Sequence, residues 1–215
     1  PPAYRSPVPS LKLPITCLVT DRKRCCGRPL LEVVAAAING GVTMIQLREK
    51  DLTASHLLPL AECMREITSG KALLFINDRV DIALAVGADG AHLSGDSMPI
   101  STARRISGNQ FMISKSIHDP DEGLVAEEDG ADLLVAGTIF ASKSHPCTVP
   151  KGVGILKKLA GKVTVPFLAI GGISKENAHL AIESGAAGVA AISSITESAD
   201  PNDAARNLVS AVKKV

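Results

Sequence analysis

Short runs of consecutive apolar residues alternate along the chain with longer segments in which apolar residues recur every three or four positions. The short runs are 15–20 (ITCLVT), 43–47 (TMIQL), 73–76 (LLFI), 90–93 (GAHL), 111–114 (FMIS), 132–136 (DLLVA), 166–170 (PFLAI) and 188–192 (GVAAI). They are brief and mostly non-alternating, the pattern of parallel strands covered on both faces. The intervening stripes predict amphipathic helices, with Leu30, Val33, Val34, Ala37 and Ile38 on one and Leu57, Leu60, Ala61, Met64 and Ile67 on another.

A glycine element punctuates this pattern: Gly40-Gly41-Val42, Gly87-Ala88-Asp89, Gly130-Ala131-Asp132 and Gly185-Ala186-Ala187. Glycine suits the left-handed position that stops a helix. The element recurs at about the length of two βα units, so it precedes the second, fourth, sixth and eighth strands. That period predicts an α/β fold, a single (β/α)8 TIM barrel over residues 15–215, with a doubly wound open sheet as the competing arrangement. Residues 1–14 carry Pro1, Pro2, Pro7, Pro9 and Pro14 and read as an extended arm leading into the barrel. No internal linker suggests a second domain, and 215 residues are enough for eight short units.

Composition narrows the function classes. A formal charge of +1 gives no strong field toward nucleic acid or anionic membrane. The aromatic residues are Tyr4, Phe75, Phe111, Phe140 and Phe167, too few to offer the stacking platforms of a single-strand binder. No run of 18 apolar residues predicts a membrane span, and the N-terminal stretch lacks an apolar secretory core. Cys17, Cys25, Cys26, Cys63 and Cys147 fit neither a disulfide framework nor a zinc site, so free thiols in a reducing cytoplasm are expected. A homodimer is left open.

In a barrel of this kind the chemistry gathers where the strands end. The polar residues there are Gln46 to Lys50, Asn77-Asp78-Arg79, then His92, Ser94 and Asp96, then Ser114, Ser116 and His118. They continue with Ser142, Lys143, Ser144 and His145, then Gly171-Gly172, then Ser193-Ser194. Gly-Gly after the seventh strand and Ser-Ser after the eighth expose backbone N–H groups and hydroxyls where this fold commonly takes phosphate. Arg48 and Lys50 share a face of an extended segment and suit a phosphate, or form a solvated charged strand end. Asp78 could hold Mg²⁺ against a diphosphate, or pair with Arg79, or cap a helix. Residues 141–151 read equally as a lid or as a surface loop.

These residues, taken in order, resemble the thiamine phosphate synthases and their relatives the thiazole tautomerases. Gln46-x-Arg48-Glu49-Lys50, Ile76-Asn77-Asp78, Ala88-Asp89-Gly90-x-His92-Leu93 and Ser116-x-His118 carry the first half of the likeness. Residues 169–173 (AIGGI) and 188–193 (GVAAIS) carry the second, and it runs from about Ile15 to Lys214. The resemblance implies a transferase of thiamine biosynthesis that takes phosphorylated small molecules. An aminopyrimidine methyl diphosphate joins a thiazole phosphate, diphosphate leaves, and thiamine phosphate forms. It implies that Gln46, Leu47, Arg48, Glu49, Lys50, Asn77, Ser116 and His145 hold the pyrimidine diphosphate. It implies Ser142, Lys143, Ser144, Gly172, Ile192 and Ser193 for the thiazole phosphate. Ser116, His118 and Lys50 are the implied catalytic groups, with one Mg²⁺ on Asp78.

The chain departs from the pattern where a second Mg²⁺-binding Asp is usual. Ser97 stands there, with Asp96 one residue early as a candidate substitute, and His145 replaces a Lys. These departures leave two alternatives open. One is a thiazole tautomerase using His118 as acid and base. The other is a regulatory protein that binds thiazole phosphate without catalysis.

Overall fold

The computed structural model describes residues 11–142 and 148–213. Eight parallel strands close on themselves: β1 (Ile15–Val19), β2 (Met44–Leu47), β3 (Leu73–Asn77), β4 (Gly90–Leu93), β5 (Met112–Ile117), β6 (Leu133–Ala136), β7 (Phe167–Ile170) and β8 (Gly188–Ala191). Between them run α1 (Leu30–Asn39), α2 (Ala54–Thr68), α3 (Val80–Ala85), α4 (Ile100–Ser107), α5 (Pro120–Glu128), α6 (Gly154–Ala160) and α7 (Ala178–Glu183). Two helices follow β8, the one-turn α8 (Ser193–Thr196) and α9 (Pro201–Lys213). Pairing of Ile15 to Leu18 with Gly188 to Ala191 rules out the open sheet, because closure removes both edges. The expected (β/α)8 barrel is therefore the fold.

Each strand lies within one residue of its predicted bounds except β5, which runs on to Ile117. The apolar run stops at Ser114, and a pattern of apolar residues does not register a strand that continues through Ser-Lys-Ser to Ile117. Side chains alternate between two cores. Inward go Ile15, Cys17, Val19, Met44, Phe75, Met112, Leu133, Val135, Leu168 and Ala190, which fill the barrel. Outward go Leu18, Ile45, Leu47, Leu74, Ile76, Leu93, Ile113, Leu134 and Val189, which pack against the helices. Leu30, Val33, Val34 and Ala37 of α1 and Leu57, Ala61 and Met64 of α2 supply the matching helix faces, as their spacing predicts.

The glycine repeat also has a structural meaning. Gly41, Gly87, Gly130 and Gly185 all have left-handed backbone, with φ of 98°, 61°, 102° and 97°. The residue that starts the next strand then closes an open backbone position on the strand before it. Thr43 Oγ1 accepts from the Thr16 N–H at 3.1 Å, Asp89 from Leu74 at 2.8 Å and Asp132 from Ile113 at 2.8 Å. Asp89 also pairs with Arg65 at 2.7 Å, and Asp132 with Arg104. Ala187 has no group to do this in the fourth repeat.

Residues 1–10 of the expected arm lie outside the described residues; Leu11 packs against the interior core. Cys17, Cys25, Cys26 and Cys63 are free thiols. Cys147 lies outside the described residues. Among the described residues no helix is long and apolar enough to cross a membrane.

Asp132 and Arg104 have side chains only 6% and 15% exposed, so Asp132→Ala leaves a buried guanidinium with backbone carbonyl partners but without its carboxylate. The loss should be about 3 kcal/mol or more in urea unfolding. Asp89→Ala should cost less, since the Arg65–Asp89 pair is 22% and 27% exposed. Equal losses would contradict burial as the cause.

Candidate active site at the mouth of the barrel

One cavity opens at the C-terminal ends of the strands. Its floor is apolar, from Val19, Val135, Ile170, Ala190 and Ile192. Its walls carry Gln46, Arg48 and Lys50 at the end of β2 and beyond it, Asn77 at the end of β3, His92 and Ser94 at the end of β4 and beyond it, and Ser116 and His118 at the end of β5 and beyond it. Across the ring stand Gly137 and Thr138, Gly171 and Gly172, and Ser193. Inward alternation selects these residues: positions 46, 48 and 50 share one parity along their segment, as do 92 and 94, and 116 and 118.

The same parity corrects two expectations. Leu47 is 1% exposed in the outer core, and Glu49 is turned away from the cavity. Neither side chain lines the cavity. Glu49 is instead a brace. Its carboxylate accepts from Thr20 Oγ1 at 2.8 Å, from the Arg22 N–H at 3.1 Å and from Arg22 Nη1 at 2.9 Å. Thr20 Oγ1 in turn accepts from the Arg48 N–H at 2.9 Å, so the brace sets the backbone that carries Arg48.

Asp78 stands at the edge of the cavity, behind Lys50 and Ser94. Its φ of 60° is left-handed, a region that Asp tolerates better than most residues, and it breaks the alternation at the strand end. The carboxylate accepts from the Ser94 N–H and Ser94 Oγ at 2.9 Å and from Ser97 Oγ, with Lys50 Nζ at 3.7 Å. Burial alone would raise the Asp78 pKa, but these hydrogen bonds and the Lys50 charge hold it below the ordinary carboxylate value. Asn77 links inward, donating to Asp78 at 2.7 Å and accepting from Gln46 Nε2 at 2.9 Å.

Asp96 does not substitute for a second carboxylate. It is exposed in the turn after β4 and outside the cavity lining, whereas Ser97 reaches Asp78. Among the described residues no group of three or more His, Cys, Asp or Glu gathers to hold a metal. The oxygen set of Asp78, Ser94 and Ser97 still suits a hard cation that takes few protein ligands and completes its shell with water and phosphate.

At the opposite side Gly171 and Gly172 have φ of 98° and 61°. A Cβ at Gly172 would lie 2.2 Å from the Ala141 carbonyl oxygen, so only glycine allows this close turn. Ser193 opens α8, whose first N–H groups have no partner within the helix. A short extra helix after β8 is a recurrent phosphate site of this fold. Ile192 and Ser142 also line the cavity. Lys143, Ser144 and His145 lie outside the described residues. His118 sits at the rim with its side chain 56% exposed, and its ring meets Glu122 at 3.3 Å.

His92 and Ser94, polar residues named at the end of the fourth strand without a specific role, line the cavity because they follow the inward parity of β4, and Thr138 lines it without having been named from the sequence. The apolar floor was missed because only polar positions were searched.

The profile of the thiamine monophosphate synthase family matches residues 16–195. The chain belongs to this family. It is 40% identical over 193 residues to the thiamine-phosphate synthase of Clostridium novyi, covering 89% of this chain and 95% of that protein. It is 44% identical over 184 residues to that of Moorella thermoacetica, covering 85% and 88%. The structure of thiamine phosphate pyrophosphorylase from Pyrococcus furiosus superposes with a TM-score of 0.86 at 36% identity, covering 94% and 96% of the two chains. A 3-hexulose-6-phosphate synthase at 18% identity and a TM-score of 0.72 shares the fold alone.

His92 is 3% exposed, and burial pushes its pKa from 6.5 down to about 4, with Asp78 opposing and Lys115, Arg48 and Lys50 adding to the depression. Between these values the unfolded chain binds a proton at this histidine that the folded chain refuses. Stability should therefore fall as pH drops from 6.5 toward 4, by on the order of 3 kcal/mol from this group. Urea unfolding across that window should show a shallower decline for His92→Asn; an unchanged slope would refute the assignment.

Proposed function

We propose that this chain is a thiamine-phosphate synthase that joins an aminopyrimidine methyl diphosphate to a thiazole phosphate. One observation carries the reading: a single cavity has two anion-binding ends facing each other across an apolar floor. Arg48 and Lys50 make one end, and the Gly172 turn with Ser193 makes the other. Two flat, apolar heterocycles laid on Val19, Val135, Ile170 and Ala190, each with its phosphate at one end, would bring their ring-side atoms together.

In this reading Arg48 grips the diphosphate through two parallel hydrogen bonds and Lys50 adds a point charge. Gln46 and Asn77, which bond each other, orient the pyrimidine end. Ser193 and the Gly172 backbone hold the thiazole phosphate. Departure of diphosphate leaves a cation that the aminopyrimidine stabilises, and the thiazole nitrogen attacks it. The chain's contribution is positioning and neutralisation of the leaving charge. Asp78, with the Ser94 and Ser97 hydroxyls beside it, would hold one Mg²⁺, which when bound helps neutralise the diphosphate.

Supplied with both substrates and Mg²⁺, the protein should release diphosphate, and chelator should stop it. No release above the control without enzyme would overturn the reading. Arg48→Ala should cut kcat/KM by about 100-fold. Metal-independent isomerisation of a thiazole carboxylate phosphate, abolished by His118→Asn, would instead mark a tautomerase. Binding of thiazole phosphate without turnover of either substrate would mark a regulatory protein. Ser97→Asp places a second carboxylate beside Asp78 and should lower the Mg²⁺ concentration needed for half-maximal rate; an unchanged requirement would remove Ser97 from the metal site.

A further inference from the structure

The polar end of β5 and the inward histidine of β4 form a hydrogen-bonded line that runs from the barrel interior to the cavity. His92 lies opposite Ser114 in the β4–β5 register. Its Nδ1 is 2.9 Å from Ser114 Oγ and its Nε2 is 2.7 Å from Ser116 Oγ. Ser114 is fully buried, whereas Ser116 lines the cavity.

The direction of the line follows from counting protons. A neutral imidazole has one N–H and one lone pair, so it donates to one serine and accepts from the other. If Nδ1 carried the hydrogen, Ser114 would accept it, and the Ser114 hydroxyl hydrogen would need another acceptor. Among the described residues its side chain bonds only His92, and no solvent reaches it. That hydrogen would carry the full desolvation penalty of an unmade bond. If Ser114 donates to Nδ1, every group in the line is satisfied. Nε2 then carries the hydrogen and donates to Ser116 Oγ, and the Ser116 hydrogen is left to point into the cavity.

We infer that His92 is a positioning residue, held by Ser114 as the neutral Nε2–H tautomer, which makes Ser116 a hydrogen-bond donor toward the ligand. Successive bonds in one direction polarise one another, so the Ser116 hydroxyl is a stronger donor than an isolated serine. Its partner is an acceptor atom of the pyrimidine diphosphate; this part rests on the function proposed above. The arrangement also gives a reason for the polar stretch Ser114 to Ser116 in β5. Ser114 and Ser116 face inward at a spacing of two, which is the spacing needed for one imidazole to span them.

Two measurements test the inference. In the intact protein labelled with ¹⁵N at histidine, near neutral pH, the His92 ring should show a protonated Nε2 and an unprotonated Nδ1. The signal is assigned by its loss in His92→Asn. A protonated Nδ1, or both nitrogens protonated, would overturn the inference whatever the protein catalyses. The second is a double-mutant cycle on the rate of diphosphate release. His92→Asn and Ser116→Ala should each lower kcat by about tenfold. The double variant should lose no more than the larger single loss, because the histidine acts through the serine. Additive losses would show that His92 does not work through Ser116. A wild-type protein that releases no diphosphate counts against the proposed function, and the nitrogen signals then decide this inference alone.

Discussion

Two-residue alternation along eight closed, parallel strands is the constraint on which the site depends. Closure gives every strand an inner and an outer face, and the alternation assigns each residue to one of them. Arg48 and Lys50 reach the cavity because Met44 and Gln46 face inward below them, and Leu47 and Glu49 are excluded for the same reason. Where the chain needs a residue against this rule, it breaks the strand geometry. Asp78 is carried to the cavity edge by a left-handed φ, and Gly171-Gly172 turn the chain in a space that no Cβ could share.

The polar groups around the cavity are held by hydrogen-bonded partners, several of them outside the cavity lining. Glu49 and Thr20 set the backbone of Arg48, Asn77 ties Gln46 to Asp78, and Ser114 orients His92. Such bracing suits a reaction in which charge moves onto a leaving diphosphate, since donors already fixed need no reorganisation as that charge develops. The two ends of the cavity differ in kind. The end after β2 and β3 presents charged side chains, and the end after β7 and β8 presents backbone freed by glycine and a one-turn helix.

Reading by apolar runs recovers strands whose two faces are both buried, and so it recovers seven of the eight almost to the residue. It fails on β5 because Ser114 and Ser116 are inward-facing yet polar, stabilised by a histidine from the neighbouring strand. His92 was visible as a polar residue at a strand end, but its partners lie more than twenty residues away in sequence. Asp96 was a candidate by proximity in sequence alone, and Ser97, its neighbour, is the residue that touches Asp78.

The linear order of apolar runs, helix stripes and terminating glycines determined eight βα units in order, because each is a local property of backbone and side-chain size, and the β1–β8 pairing then closed them into a barrel. The motifs at the strand ends likewise determined the family and the Gly171-Gly172 turn. Only the tertiary structure decided which of those polar residues face one another. That depends on parity within each strand and on register between strands, and a hydrogen bond such as His92 to Ser116 exists only once both are set.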